Sequence, residues 1–117
     1  MNAKVLLNLY HRQIQAHRKP TLDPKPMKTY RIATIPGDGI GKEVIPAGQQ
    51  VMAALAAASG SFRFEFENFD WGGDYYRIHG RMMPDDGLDA LRDKDAILFG
   101  SAGDPDIPDH ITLWGLR

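Results

Sequence analysis

Glycine and aspartate crowd two short stretches of this sequence. Gly37-Asp38-Gly39-Ile40-Gly41 holds three glycines, and Gly100-Ser101-Ala102-Gly103-Asp104-Pro105 repeats the theme further on. Glycines let a backbone take positive φ and approach a ligand with no Cβ in the way. A helix starting directly behind such a turn presents free N–H groups to an anion. Phosphate or dinucleotide binding is therefore the first chemistry to weigh. The spacing fits its standard forms poorly. Position 42 is Lys, so the first stretch is not G-x-G-x-x-G, and G-K-[ST] occurs nowhere. Asp38 would also repel a phosphate seated directly on the turn. A tight strand-to-helix turn explains the residues as well as a phosphate loop does, and a Rossmann cradle explains them less well.

Other chemistry-bearing residues are weaker candidates. His79 has no second ligand at metal spacing and reads as a packing or surface histidine. Asp104, Asp106, Asp109 and His110 suggest a metal, but Pro105 and Pro108 make turn formation an equal explanation. Asp70 stands where a ribose-binding acid of a Rossmann domain would lie, though a turn or cap role fits better. Tyr75-Tyr76 and Met82-Met83 read as core or subunit-contact pairs. No nucleophile–base–acid set is visible.

Three strands and two or three helices must position these loops. Tyr30 to Ile35 is short, apolar and bounded by Pro36-Gly37, which predicts a buried strand. A helix is expected from Gly41 to about Ala58, with Val44, Gly48, Val51 and Leu55 on one face and Gly60 as its stop. Pro46 is placed in the first turn of that helix, where a missing N–H costs nothing. Phe62 to Asn68 alternates phenylalanine with charge, a strand with one wet face. A short helical piece at Asp74 to His79 follows, then a helix over Pro84 to Arg92 with acids in its first turn, then a strand at Ala96 to Phe99. The order β-α-β-α-β predicts a parallel sheet with right-handed crossovers. Both glycine-rich loops then fall beyond the C-terminal ends of strands, where such sheets bind ligands.

The 117 residues suffice for one domain, and 43% hydrophobic with 25% charged residues is ordinary for a globular chain. A formal net charge of -1 gives no electrostatic case for nucleic acid or an anionic membrane, so neither is expected as a partner. Cysteine is absent, which removes disulfides and thiolate metal sites and suits a reducing compartment. Residues 1–28 differ from the rest. Met1 to Leu22 lacks Asp and Glu but carries Lys4, His11, Arg12, His17, Arg18 and Lys19, with a weak apolar stripe of Val5, Leu6, Leu9 and Ile14. That segment reads as a disordered or family-specific extension; an organellar transit peptide is the alternative. Pro20, Pro24 and Pro26 make a linker, and the boundary is placed near Lys28, leaving 29–117 as an incomplete domain.

Several segments together resemble one family. "IPGDGIGKEVIPAG" is similar to the N-terminal signature of the β-decarboxylating dehydrogenases, the isocitrate, isopropylmalate, tartrate and D-malate group. The paired "DYY", then "HGRMMP", "PDH" and "LWGL" resemble the tartrate/D-malate branch. The resemblance runs from about Tyr30 to Arg117. It implies the β-α-β-α-β start of an isopropylmalate-dehydrogenase-like α/β fold, not a true Rossmann domain. It also implies an NAD-dependent oxidation of a 2-hydroxy diacid, with Mg2+ or Mn2+ holding hydroxyl and carboxylate, and decarboxylation when the substrate is malate.

By the same resemblance Ile40 contacts the adenosine end of the cofactor, and Gly103, Asp104 and Pro105 line its nicotinamide side. Trp114 and Arg117 are the substrate-side candidates. "GSAGDP" departs at Asp104 from the "GSVGGP" of isopropylmalate enzymes but suits the tartrate branch. The residues that clamp carboxylates, move protons and bind metal are implied to lie past Arg117, so no catalytic or metal residue is assigned in this chain. A cytoplasmic homodimer is expected of the longer protein, with mitochondrial location as the alternative to cytoplasmic. A non-catalytic remnant that binds nucleotide or a full-length partner is the alternative function.

Overall fold

The computed structural model of the chain describes residues 2–16 and 26–117, and the side chains of residues 11–16 are outside that description. A helix, α1, covers Ala3–Ala16, with Val5, Leu6 and Leu9 exposed. The linker residues Pro20 and Pro24 lie outside the described residues, and Pro26 stands just before the first strand. No helix among the described residues is long and apolar enough to cross a membrane.

The sheet has three strands in the order β2-β1-β3, all parallel. The central strand β1 spans Lys28–Gly37, longer at both ends than the apolar run that announces it. Backbone pairing continues through polar Lys28 and Thr29 because Phe62 and Arg63 of β2 (Phe62–Asn68) lie opposite them. Strand β3 covers Ala96–Ser101, its last pair being Gly37 with Ser101. Parallel strands covered by crossovers bury their centre; Ile32, Ala33, Thr34 and Ile35 of β1 are all buried. The Thr34 hydroxyl bonds the Glu67 carbonyl and the Asn68 side chain, so the polar group at the centre is satisfied across the β1–β2 seam.

Helix α2, Gly41–Ser59, covers one sheet face and ends at Gly60, whose φ of 66° closes a left-handed cap onto the Ala56 carbonyl. Its buried face differs from the expected stripe. Val44, Val51 and Leu55 are exposed, whereas Gly41, Ile45 and Ala56 are buried and Gly48 meets the Leu98 side chain of β3. The inward stripe of Gly41, Ile45, Gly48 and Ala56 lies about one position round the helix from the expected one, and its two glycines let the backbone come close to the sheet. Apolar residues stand on both faces of the helix, Ile45 inward and Val44, Val51 and Leu55 outward, so periodicity alone does not choose between the two stripes. Pro46 sits inside the helix, one turn beyond the expected position, so its missing N–H costs a main-chain bond.

Short helices complete the fold: α3 (Gly73–His79), α4 (Gly87–Leu91) and α5 (Asp109–Gly115). Helix α4 is shorter than Pro84 to Arg92, because Pro84 and the turn at Asp85-Asp86 precede it. Helix α5 takes in Asp109 and His110, residues that sequence placed in an acidic loop. Trp71 is buried, packed against Phe69 at a tilt of 44° with centroids 4.5 Å apart, and bordered by Gly87. Met82 is buried too, while His79 lies exposed with its ring against Tyr75. On the sheet face away from α2, Ile35, Ile97, Phe99, Leu88 and Leu91 line an apolar groove of about 620 Å³.

Candidate functional site

The two glycine-rich loops meet. β1 and β3 are neighbours, so Gly37–Gly41 and Ser101–Pro105 emerge side by side at the C-terminal edge of the sheet. They pack backbone on backbone. A Cβ at Gly41 would run into the Pro36 carbonyl oxygen and stand 2.8 Å from Ser101 N, and one at Gly37, where φ is 69°, would run into the Ser101 carbonyl. Glycine at 37 and 41 thus serves close approach of chain to chain.

The N-terminus of α2 is already satisfied. A helix ordinarily leaves its first N–H groups free for a cap or an anion. Here Gly41 N–H is shared between the Asp38 carbonyl and the Ser101 hydroxyl oxygen, both at 3.1 Å. Lys42 N–H bonds the Gly39 carbonyl at 3.3 Å, and both Glu43 and Val44 donate to the Ile40 carbonyl at 3.0 Å. A phosphate placed on this turn would have to displace those bonds.

Asp38 is 5% exposed and turned inward. Its Oδ1 accepts the Gly73 N–H at 2.6 Å and its Oδ2 the Gly103 N–H at 3.0 Å. Its own N–H donates to the Ser101 carbonyl at 2.8 Å, and the Ser101 hydroxyl donates to the Asp38 carbonyl. One side chain therefore ties together the loops after β1, β2 and β3. Sequence reading treated Asp38 only as an obstacle to phosphate. No local signal pointed to this role, because Gly73 and Gly103 lie 35 and 65 residues along the chain from Asp38.

An ionic chain runs outside this knot. Lys42 pairs with Asp74; Arg77 bridges Asp74 at 3.1 Å and Asp104 at 2.5 Å. Asp104 also accepts the Asp106 N–H at 3.0 Å. That backbone bond, helped by Arg77 and opposed by partial burial, holds the Asp104 carboxyl below the usual carboxylate value. Lys42 holds Asp74 low in the same way, and Asp74 holds the Lys42 ammonium high.

The sequence-derived site residues are spread over this edge. Ile40 is 68% exposed at the tip of the first loop. Gly103, with φ of 151°, has open space where a side chain would stand. Gly103 and Arg117 line one cleft of about 310 Å³ with Ala102, Asp109, Thr112 and Leu113. Asp104, by contrast, spends its carboxylate on Arg77 and Asp106, Pro105 is exposed, and Trp114 is 89% exposed outside that cleft. Thr112 is a cleft residue that sequence reading missed, because helix α5 was not foreseen. Its hydroxyl is buried and has no hydrogen-bond partner among the described residues. Among the described residues, no group of three or more His, Asp or Glu side chains is placed to hold a metal ion.

Comparison with known proteins places this architecture. The family model for isocitrate/isopropylmalate dehydrogenase matches residues 31–116. A probable tartrate dehydrogenase/decarboxylase of Agrobacterium vitis is 64% identical over 91 residues, covering 78% of this chain and 25% of that protein. The D-malate dehydrogenase [decarboxylating] of Escherichia coli (strain K12) is 56% identical over 91 residues, 76% of this chain and 25% of its own length. The apo crystal structure of a β-decarboxylating dehydrogenase from Thermococcus kodakarensis matches with a TM-score of 0.50 and 39% identity, over 68% of this chain and 23% of that one. The chain spans about a quarter of the length of the curated relatives it matches.

Proposed function

The chain belongs to the isocitrate/isopropylmalate dehydrogenase family, and on that footing we propose that it is the N-terminal part of an oxidoreductase acting on the CH–OH group of tartrate or D-malate with NAD as hydride acceptor. The observation that carries this reading is identity of 64% and 56% to relatives whose names specify those two 2-hydroxy diacids. With malate, oxidation is followed by loss of the β-carboxylate.

In this reading the C-terminal edge of the sheet borders the cofactor. Ile40 stands exposed toward the adenosine end, and the open backbone at Gly103, with Asp104 and Pro105 after it, borders the nicotinamide side. Glycine at 103 leaves room for a flat ring to lie on the main chain. Arg117, sharing the cleft with Gly103 and Thr112, offers a cation to a substrate carboxylate. Trp114, exposed on α5, lies toward the substrate side. The Mg2+ or Mn2+ expected of the family has no ligand cluster among the described residues, so no residue of this chain is assigned to it. A cytoplasmic homodimer belongs to the same proposal.

A chimera carrying residues 31–116 of this chain in place of the matched segment of the Escherichia coli relative tests the reading. It should form NADH from D-malate or tartrate when Mn2+ is supplied, and lose that turnover when the metal is chelated. The 117-residue chain alone should give none. No turnover with either diacid from a folded chimera, under conditions where the parent enzyme is active, refutes it.

A further inference from the structure

A carboxylate withdrawn from water needs donors on its oxygens. Asp38 obtains them from two main-chain amides on separate loops, Gly73 at the start of α3 and Gly103 after β3. Ser101 fixes the Asp38 backbone from both sides, so the carboxylate is itself held in place. Glycine at 73 leaves room for this packing: a Cβ there would stand 2.9 Å from Asp38 Oδ1 and 2.8 Å from Asp104 Oδ2. The side chain occupies amide donors of a glycine-rich turn in the manner of a bound anion, but from inside the protein.

We propose that Asp38 is a positioning residue for the cofactor-side loop. By gripping the Gly73 and Gly103 amides together, its carboxylate sets where Gly103-Asp104-Pro105 stands when a dinucleotide binds. What the loop touches rests on the dehydrogenase reading above; the grip itself does not. The role demands two acceptor oxygens on a short stem. Asparagine keeps one oxygen and turns an N–H donor toward the other amide, so one tether is lost with almost no change in volume.

Two measurements test this. In the 117-residue chain labelled for NMR, the Gly73 and Gly103 amides should show scalar coupling across the hydrogen bond to the Asp38 side-chain carboxyl carbon. Absence of both couplings in the folded, unsubstituted chain overturns the proposal, whatever any variant does. In Asp38→Asn, amide exchange at Gly73 or Gly103 should quicken about tenfold or more while Ala33 and Ile35 in β1 keep their protection. Equal acceleration at all four positions makes Asp38 a residue of general stability and overturns the proposal.

The same substitution in the active chimera should raise KM for NAD about tenfold, with kcat and KM for the diacid within about twofold of the parent. Quickened Gly103 exchange with unchanged KM for NAD overturns the cofactor role. A chimera inactive before any substitution refutes the dehydrogenase reading, and the NMR measurements on the chain still decide the grip.

Discussion

Asp38 and Asp104 flank the same glycine, Gly73, yet they hold this edge of the molecule by opposite means. Asp38 is buried and bonded to backbone amides. Asp104 is closer to solvent and paired with Arg77, which is 45% exposed. The difference lies in what water is able to replace. A buried amide deprived of its acceptor keeps the cost of desolvation, whereas a guanidinium at the surface finds water or another carboxylate. The inner acid therefore decides where the loops stand, and the outer charges adjust them.

The largest effect should come from the backbone contact between the two glycine-rich loops. Gly41→Ala puts a methyl group against the Pro36 carbonyl and Ser101 N, backbone on both sides. It should cost about 3 kcal/mol or more of unfolding free energy in urea melts. A loss below 1 kcal/mol would mean that the two loops part easily, and the contrast between inner and outer acids would lose its basis.

Next comes the comparison itself. Asp38→Ala leaves the buried Gly73 amide without its acceptor and should cost about 2 kcal/mol, where Asp104→Ala costs clearly less. Raising salt should shrink the Asp104→Ala effect and leave that of Asp38→Ala unchanged, since screening reaches only the exposed pairs. Equal losses for the two variants would erase the distinction.

Acid sharpens the comparison further. The Asp106 amide, aided by Arg77, holds Asp104 below the usual carboxylate value, so its folded form binds a proton less readily than its unfolded form. Its contribution is complete above the unfolded value of about 4 and is lost as pH falls through the lower folded value. Asp104→Asn should accordingly flatten part of the fall in Tm below about pH 4 and change nothing in its slope near neutrality. Asp74, held low by Lys42, and Asp93, held low by Lys94 and Arg31, contribute to what remains.

The smallest effect is expected at Thr112. Its buried hydroxyl has no partner among the described residues, so Thr112→Val should be neutral or slightly stabilising. A marked loss of stability would show that the hydroxyl has a structural partner.

Much of the scaffold was legible because it is written in local pattern. Phe62, Phe64 and Phe66 alternate with charge and mark β2 to the residue, and Gly60 marks the end of α2. The inward face of α2 was not legible from Val44, Val51 and Leu55. Ile45 points inward while those three point outward, so apolar residues occupy both faces and a helical period alone does not select the buried one. Helix α5 has only seven residues, too few to show a period among Asp109, His110 and the prolines before them.

Sequence by itself determined the strand–helix alternation, the parallel sheet it requires and the family, because hydrophobic period, glycine punctuation and motif residues are properties of neighbours along the chain. Tertiary structure alone decided what the glycines at 37 and 41 are for and which way Asp38 faces. The Gly73 and Gly103 amides lie 35 and 65 residues from the acid that holds them, and only the folded sheet brings three loops within reach of one carboxylate.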